Sequence, residues 1–204
     1  MKQDKNMEET ILESATELFL KNGYKGTSTT EIAKQAGCNQ ALVHYYFRTK
    51  ERLFEAIFKA KINMFVESLL QLSDADLTFE DRLARKIGSH FDLLASNPKL
   101  PGLLFSEIST NPDRLESFRN AISDGPQRVL QNLNEDLKAE IAKGNVREMS
   151  VYDLFLDIVS LNVIPFLLET PFKTITKISE AEYEELLKRR KEENIKLILK
   201  GIRP

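Results

Sequence analysis

The segment NQALVHYYFRTKERLF, residues 39–54, sets His44, Tyr45 and Tyr46 side by side and follows them with Arg48, Lys50 and Arg52 against one acid, Glu51. Imidazole and phenol groups carry hydrogen-bonding atoms on large flat bodies, and the cations are partners for phosphate. Recognition of a polyanion suits this set better than turnover does. The Ser-x-x-Lys spacing at Ser96–Lys99 sits beside Pro98 and Pro101, with no oxyanion-hole glycines. Asp153 and Asp157 have no histidine near them in sequence to complete a metal site, and the chain has no phosphate loop or dinucleotide fingerprint. We therefore expect no catalytic residue, metal or cofactor, and no enzyme.

Charge is distributed to match. Between residues 20 and 50 the basic side chains are Lys21, Lys25, Lys34, Arg48 and Lys50, and Glu31 is the only acid, a local +4 in a chain of net −2. The remainder is therefore acidic and is repelled by a polyanion that the segment attracts. A chain of 204 residues, 42% hydrophobic and 29% charged, is long enough to bury a core and unlike a disordered or membrane-bundle composition. A lone cysteine, Cys38, excludes an intrachain disulfide and fits a reducing cytoplasm. The run from Leu154 to Leu168 is broken by Asp157, Asn162 and Pro165, so no membrane span is expected.

The elements that must position these residues are helical. Ile11, Leu12, Ala15, Leu18 and Phe19 recur at helical spacing, and Asn22-Gly23 supplies a stop. Ser28 with Glu31 three residues on is a capping box opening a short helix over about 29–36. Gly37 ends it, Asn39 caps a third helix over 40–47, and Thr49 caps a fourth from Lys50 to about Leu72. That fourth helix holds the soft domain boundary. Further helices are expected at about 78–95, in a short proline-flanked piece, over 113–143 as one kinked helix or two, and at about 150–169 and 179–200. The expected class is all-α: residues 1–48 form a three-helix headpiece, and 49–204 a second helical domain.

Two short helices joined by a glycine-containing turn, after a first helix, are the ingredients of a helix-turn-helix. Projection of residues 40–47 at about 100° per residue puts Val43 and Phe47 on one face, Ala41, Leu42 and Tyr45 on the opposite face, and His44 and Tyr46 on the flanks. The first face suits packing on Ile32, Ala33 and Leu18. The second suits base edges in a major groove, with the flanks and Lys50 reaching phosphates.

The run Gly23-Tyr24, Thr27, Thr29, Ile32-Ala33, Ala36-Gly37, Val43, Tyr45, Phe47, Lys50-Glu51 and Leu53 resembles the N-terminal signature of the TetR family of transcriptional regulators, over about residues 8–55. The resemblance implies a homodimer on double-stranded operator DNA, most often a repressor released by a small molecule held in the C-terminal domain, with activators less common. It implies DNA contacts at Thr29, Thr30, Gln40, Ala41, Leu42, His44, Tyr45, Tyr46 and Lys50. This chain departs from the family at His44, where a tyrosine is usual, and at Tyr46, where a histidine is usual; both substitutes can donate to phosphate.

For the second domain the candidates are Phe65, His90, Phe91, Phe105, Phe155 and Asn162 around a lipophilic effector. Phe155, Ile158, Tyr183, Leu187, Ile195 and Ile198 are the candidates for a subunit interface formed by the helices at 150–169 and 179–200, a pair that resembles the family's intersubunit bundle. A helix-turn-helix protein with no effector remains the alternative.

Overall fold

The computed structural model describes residues 2–71, 77–110, 112–121 and 124–204, with side chains described at 7–63, 66, 77–109, 112, 115, 116, 119, 120 and 124–204. Among them are eleven helices: α1 (Lys2–Asn22), α2 (Thr29–Gln35), α3 (Gln40–Phe47), α4 (Lys50–Gln71), α5 (Phe79–Ser96), α6 (Leu100–Thr110), α7 (Pro112–Ala121), α8 (Gly125–Ala142), α9 (Val151–Leu167), α10 (Glu169–Thr176) and α11 (Glu180–Ile202). The described residues contain no strand, so the protein is all-α. Among them no single helix is long and apolar enough to cross a membrane. The segment 113–143 is two helices, α7 and α8, separated around the Asp-Gly-Pro at 124–126. Residues cluster into two compact units, 1–64 with 102–123 and 65–101 with 124–204.

In the first unit the helix ends are set by local chemistry. Gly23, at φ +73, turns the chain out of α1, and the Thr27 hydroxyl, shared between the carbonyls of Gly23 at 2.9 Å and Leu18 at 3.1 Å, ties the loop back to the end of the helix. Ser28 and Glu31 form the expected reciprocal cap on α2. The Ser28 hydroxyl and then its backbone N–H hold the Glu31 carboxyl below its ordinary range. Gly37, at φ +68, makes the turn, and Asn39 Oδ1 accepts from Leu42 N–H at 2.9 Å to open α3. Phe19, Tyr24, Phe54 and Phe58 stack edge and face beneath these helices, with Phe54 and Phe58 ring centres 4.3 Å apart.

The second unit is built on α5, α8, α9 and α11. Phe79, Leu83, Ile87, Leu133, Leu137, Val151, Leu154, Ile198 and Ile202 share one core, and Phe91, Leu94 and Phe166 form a smaller one beside Val163 and Leu187. Gly88 gives α11 room to approach: a Cβ there would lie 3.3 Å from Lys191 Cε. Pro165 inside α9 has no N–H, so the carbonyl of Leu161, four residues back, loses its helical donor. Asn194 of α11 replaces it, donating to Leu161 O at 2.8 Å and to Asn162 Oδ1 at 2.9 Å. Tyr183 Oη donates to the carbonyl of Pro165 itself.

The α10 helix, between the expected 150–169 and 179–200 segments, lies outside every element expected from the sequence. Its prolyl residue Pro171 falls in the first turn, where a missing N–H costs nothing, and Lys173 ties it locally to Glu169 at 2.7 Å and Glu180 at 2.6 Å. Phe172 lies against Tyr183, with ring centres 5.8 Å apart.

Candidate nucleic-acid interface

Packing of α3 on α2 fixes which of its faces is free. Val43 and Phe47 are 2% and 8% exposed, above the buried Ile32 and Ala33. Burial of two such side chains contributes about 1.5–3 kcal/mol each, enough to hold a two-turn helix that would not form alone. The opposite face is outward: Tyr45 is 76% exposed, and Gln40, Ala41 and His44 are also exposed. Leu42 and Tyr46 are half-buried, as are Thr29 and Lys50, while Thr30 is exposed. All nine residues expected at DNA therefore reach the surface of one unit.

Several of them touch. Gln40 Nε2 donates to Thr29 Oγ1 at 2.9 Å and lies 3.4 Å from His44 Nε2; the Tyr45 and Tyr46 rings meet edge to face at 5.3 Å. An open concavity of about 530 Å³ lies between the α1–α2 loop and the α3–α4 joint, lined among others by Lys25, Thr29, His44, Arg48 and Lys50. Glu31 and Glu51 also line it. Its cations outnumber its acids, and it is open to solvent, as a phosphate backbone requires.

Lys50 is placed differently from a free surface cation. Its Nζ donates to the carbonyls of Tyr24 at 3.0 Å and Thr27 at 2.9 Å and sits 4.1 Å from the centre of the Tyr24 ring. Tyr24 Oη in turn donates to Glu51. Two of the three ammonium protons are thus engaged in clasping α4 to the α1–α2 loop, which leaves one for an anion.

Arg48 was not anticipated as anything but a cation. It adopts φ 64 and ψ −58, and Thr49 N–H donates across it to Phe47 O at 2.6 Å, a γ-turn that reverses the chain between α3 and α4. Such a conformation costs a non-glycine residue about 1–3 kcal/mol. His44 Nδ1 donates to the Arg48 carbonyl at 2.9 Å, within this turn. No local signal marks an arginine for positive φ.

The effector candidates are dispersed. Phe91 is buried, its ring centre 5.3 Å from that of Phe166. Asn162 is fully buried, donating to Ile87 O at 3.0 Å and lying 3.2 Å from His90 Nδ1. Because Asn162 Nδ2 is a donor, His90 accepts in its neutral form, and burial pushes its pKa down to about 4. Phe155 is exposed on α9, Phe105 is exposed on α6 in the first unit, and the Phe65 side chain lies outside the described residues.

At the expected subunit interface, Phe155 is exposed and Ile158, Leu187 and Ile195 are half-buried. Tyr183 and Ile198 are instead core residues of their own chain, because the stripe of α11 that carries them faces α5 and α9. The apolar surface left open on these helices is Tyr152, Phe155, Leu156, Ile164 and Leu197, joined by Leu168, Phe172 and Ile175. Asn194 was also missed, although an asparagine on the apolar stripe of an amphipathic helix, in a chain with a proline inside another helix, is the pattern that would reveal it.

Residues 11–57 match the family described as "Bacterial regulatory proteins, tetR family". The chain is 30% identical over 148 residues to the fatty acid metabolism regulator protein of Bacillus subtilis, covering 72% of this chain and 75% of that protein. It is 25% identical over 137 residues to IcaR of Staphylococcus epidermidis, a negative transcriptional regulator of the biofilm operon icaADBC, covering 67% and 68%. The structure of FadR from Bacillus subtilis in complex with stearoyl-CoA shares its fold at a TM-score of 0.69 and 24% identity, over 95% of this chain and 98% of that one.

Proposed function

The chain belongs to the tetR family of bacterial regulatory proteins and is a DNA-binding transcriptional regulator, and from that premise we propose that it is a repressor that binds a palindromic operator as a homodimer and leaves it when a lipophilic effector binds. The observation that carries the reading is the phase of α3: Val43 and Phe47 are buried while Gln40, Ala41, His44 and Tyr45 are exposed beside a cationic concavity. Residues 1–48 are the DNA-binding part in this proposal and 49–204 the regulatory part. Tyr45 and Ala41 meet bases and thymine methyls, Gln40 and Leu42 read base edges, Thr29, Thr30, Tyr46 and Lys50 hold phosphates, and His44, whose Nδ1–H goes to the Arg48 carbonyl, stands beside Gln40 at the bases.

One short helix reads too few bases for an operator, so two copies placed about 34–36 Å apart in successive major grooves are required. The open apolar surface of α9, with Phe155 and Leu156 at its centre, supports self-association as the way to pair them. The relatives support the effector class: one is named for fatty acid metabolism and another was solved with stearoyl-CoA. We place the effector of this chain among long-chain acyl thioesters. Its binding favours a dimer whose headpieces are spaced wrongly for adjacent grooves, and about 3 kcal/mol of preference for that state weakens operator binding roughly a hundredfold.

The test is selection of bound sequences from random duplex DNA by the full chain, repeated across salt concentrations and with stearoyl-CoA added. A palindromic site, a steep salt dependence and release by the thioester are expected. Failure to enrich any sequence would refute DNA recognition, and retention on the operator at saturating stearoyl-CoA would refute the effector class.

A further inference from the structure

The geometry points to His44 as a positioning residue that restricts Gln40 to a hydrogen-bond acceptor toward bases, so that Gln40 selects cytosine or adenine by their exocyclic amino groups. The inference rests on the DNA-binding reading above and deepens it. The Arg48 carbonyl can only accept, so the 2.9 Å contact from His44 Nδ1 places the imidazole proton on Nδ1. In the neutral ring Nε2 then carries a lone pair and needs a donor. Gln40, one helical turn back on α3, provides it: its Nε2 lies 3.4 Å from His44 Nε2 and 2.9 Å from Thr29 Oγ1. Both amide protons of Gln40 are thereby directed to side chains of the protein, and Oε1 is the amide atom that these contacts leave for a base.

An unconstrained glutamine reads adenine with two bonds, accepting from N6 and donating to N7. With its donors occupied, Gln40 retains the first bond and loses the second. Cytosine N4 and adenine N6 both satisfy Oε1, whereas guanine and thymine present acceptors there and repel it. Adenine loses the advantage it holds over cytosine at a free glutamine. Thr29 benefits at the same time, because accepting from Gln40 leaves its hydroxyl proton for a phosphate. Tyrosine, usual in the family where this chain has His44, has no ring nitrogen to accept from Gln40, so the restriction belongs to this chain's own residues.

The experiment measures affinities of the full-length protein for its selected operator with each of the four base pairs at the position whose discrimination Gln40→Ala abolishes. The wild type is expected to bind the cytosine and adenine versions within a few-fold of each other and both at least about tenfold tighter than guanine and thymine. His44→Phe and Thr29→Val, two separate surface changes, each free one amide proton and are expected to raise the adenine-to-cytosine ratio at that position by about fivefold or more. Helical circular dichroism of each variant verifies folding. A wild-type preference for guanine or thymine there, a Gln40→Ala variant that alters no position, or a ratio unchanged in both variants would overturn this inference while leaving DNA recognition intact. Enrichment of no sequence at all would overturn both.

Discussion

Replacing Asn194 with leucine removes the donor that closes the gap Pro165 makes in α9. The side chain keeps its approximate volume, but Leu161 O, 2.8 Å away, and Asn162 Oδ1, 2.9 Å away, both lose their partner in a fully buried place. Stranding a buried acceptor costs about 1–3 kcal/mol, and the added apolar burial returns about 1 kcal/mol, so a net loss of about 3 kcal/mol is expected. Pro165→Ala offers a specific rescue, because it restores an N–H within reach of Leu161 O. In the wild-type background that carbonyl is already satisfied; beside Asn194→Leu it is not. The two changes should therefore couple by about 1–2 kcal/mol, over and above the helix-propensity gain of alanine that is common to both backgrounds. Urea unfolding of the four proteins at one fixed concentration, followed by far-ultraviolet circular dichroism, measures the cycle. A coupling within about 0.3 kcal/mol of zero would show that Asn194 does not substitute for the proline's missing donor.

Burial holds His90 near pKa 4, below the value of about 6.5 it takes when unfolded, so unfolding takes up a proton between these values and stability falls as pH drops through that window. The loss is about 3 kcal/mol in total, and His90→Gln should flatten that part of the curve; urea midpoints at stepped pH that are parallel for the two proteins would exclude it. Lys50→Met keeps the aliphatic stem but removes the ammonium from Tyr24 O and Thr27 O, so it should destabilise the first unit by about 1–3 kcal/mol as well as flatten the salt dependence of operator binding. A flatter slope with unchanged thermal unfolding would mean that the ammonium serves phosphate alone.

The helices of the first unit were legible because their signals are local. The Ser28–Glu31 box, the Asn39 cap and the glycines at 23 and 37 act on backbone groups a few residues away, and a period of 3.6 assigns Val43 and Phe47 to one face without knowledge of the rest of the chain. The α10 helix was not legible: Pro171 and the threonines of its sequence argue against helix, and its ties to Glu180 and Tyr183 come from the following element.

A stripe on a helix says that one face is buried, and not what buries it. That is why Tyr183 and Ile198, sound candidates for a partner subunit, belong to their own chain's core, while Tyr152 and Leu156 are left outside. Lys50 and Thr27 are 23 residues apart, and His90 and Asn162 are 72 apart. Cations, imidazoles and amides announce in sequence only what they can bond. Residue type and spacing determined the helices of the headpiece, its basic charge and the outward face of α3, since those depend on neighbours along the chain. Which donors remain free for a ligand was decided by the tertiary structure alone, because a buried hydrogen-bonding group takes the partner that folding brings to it, however distant in sequence.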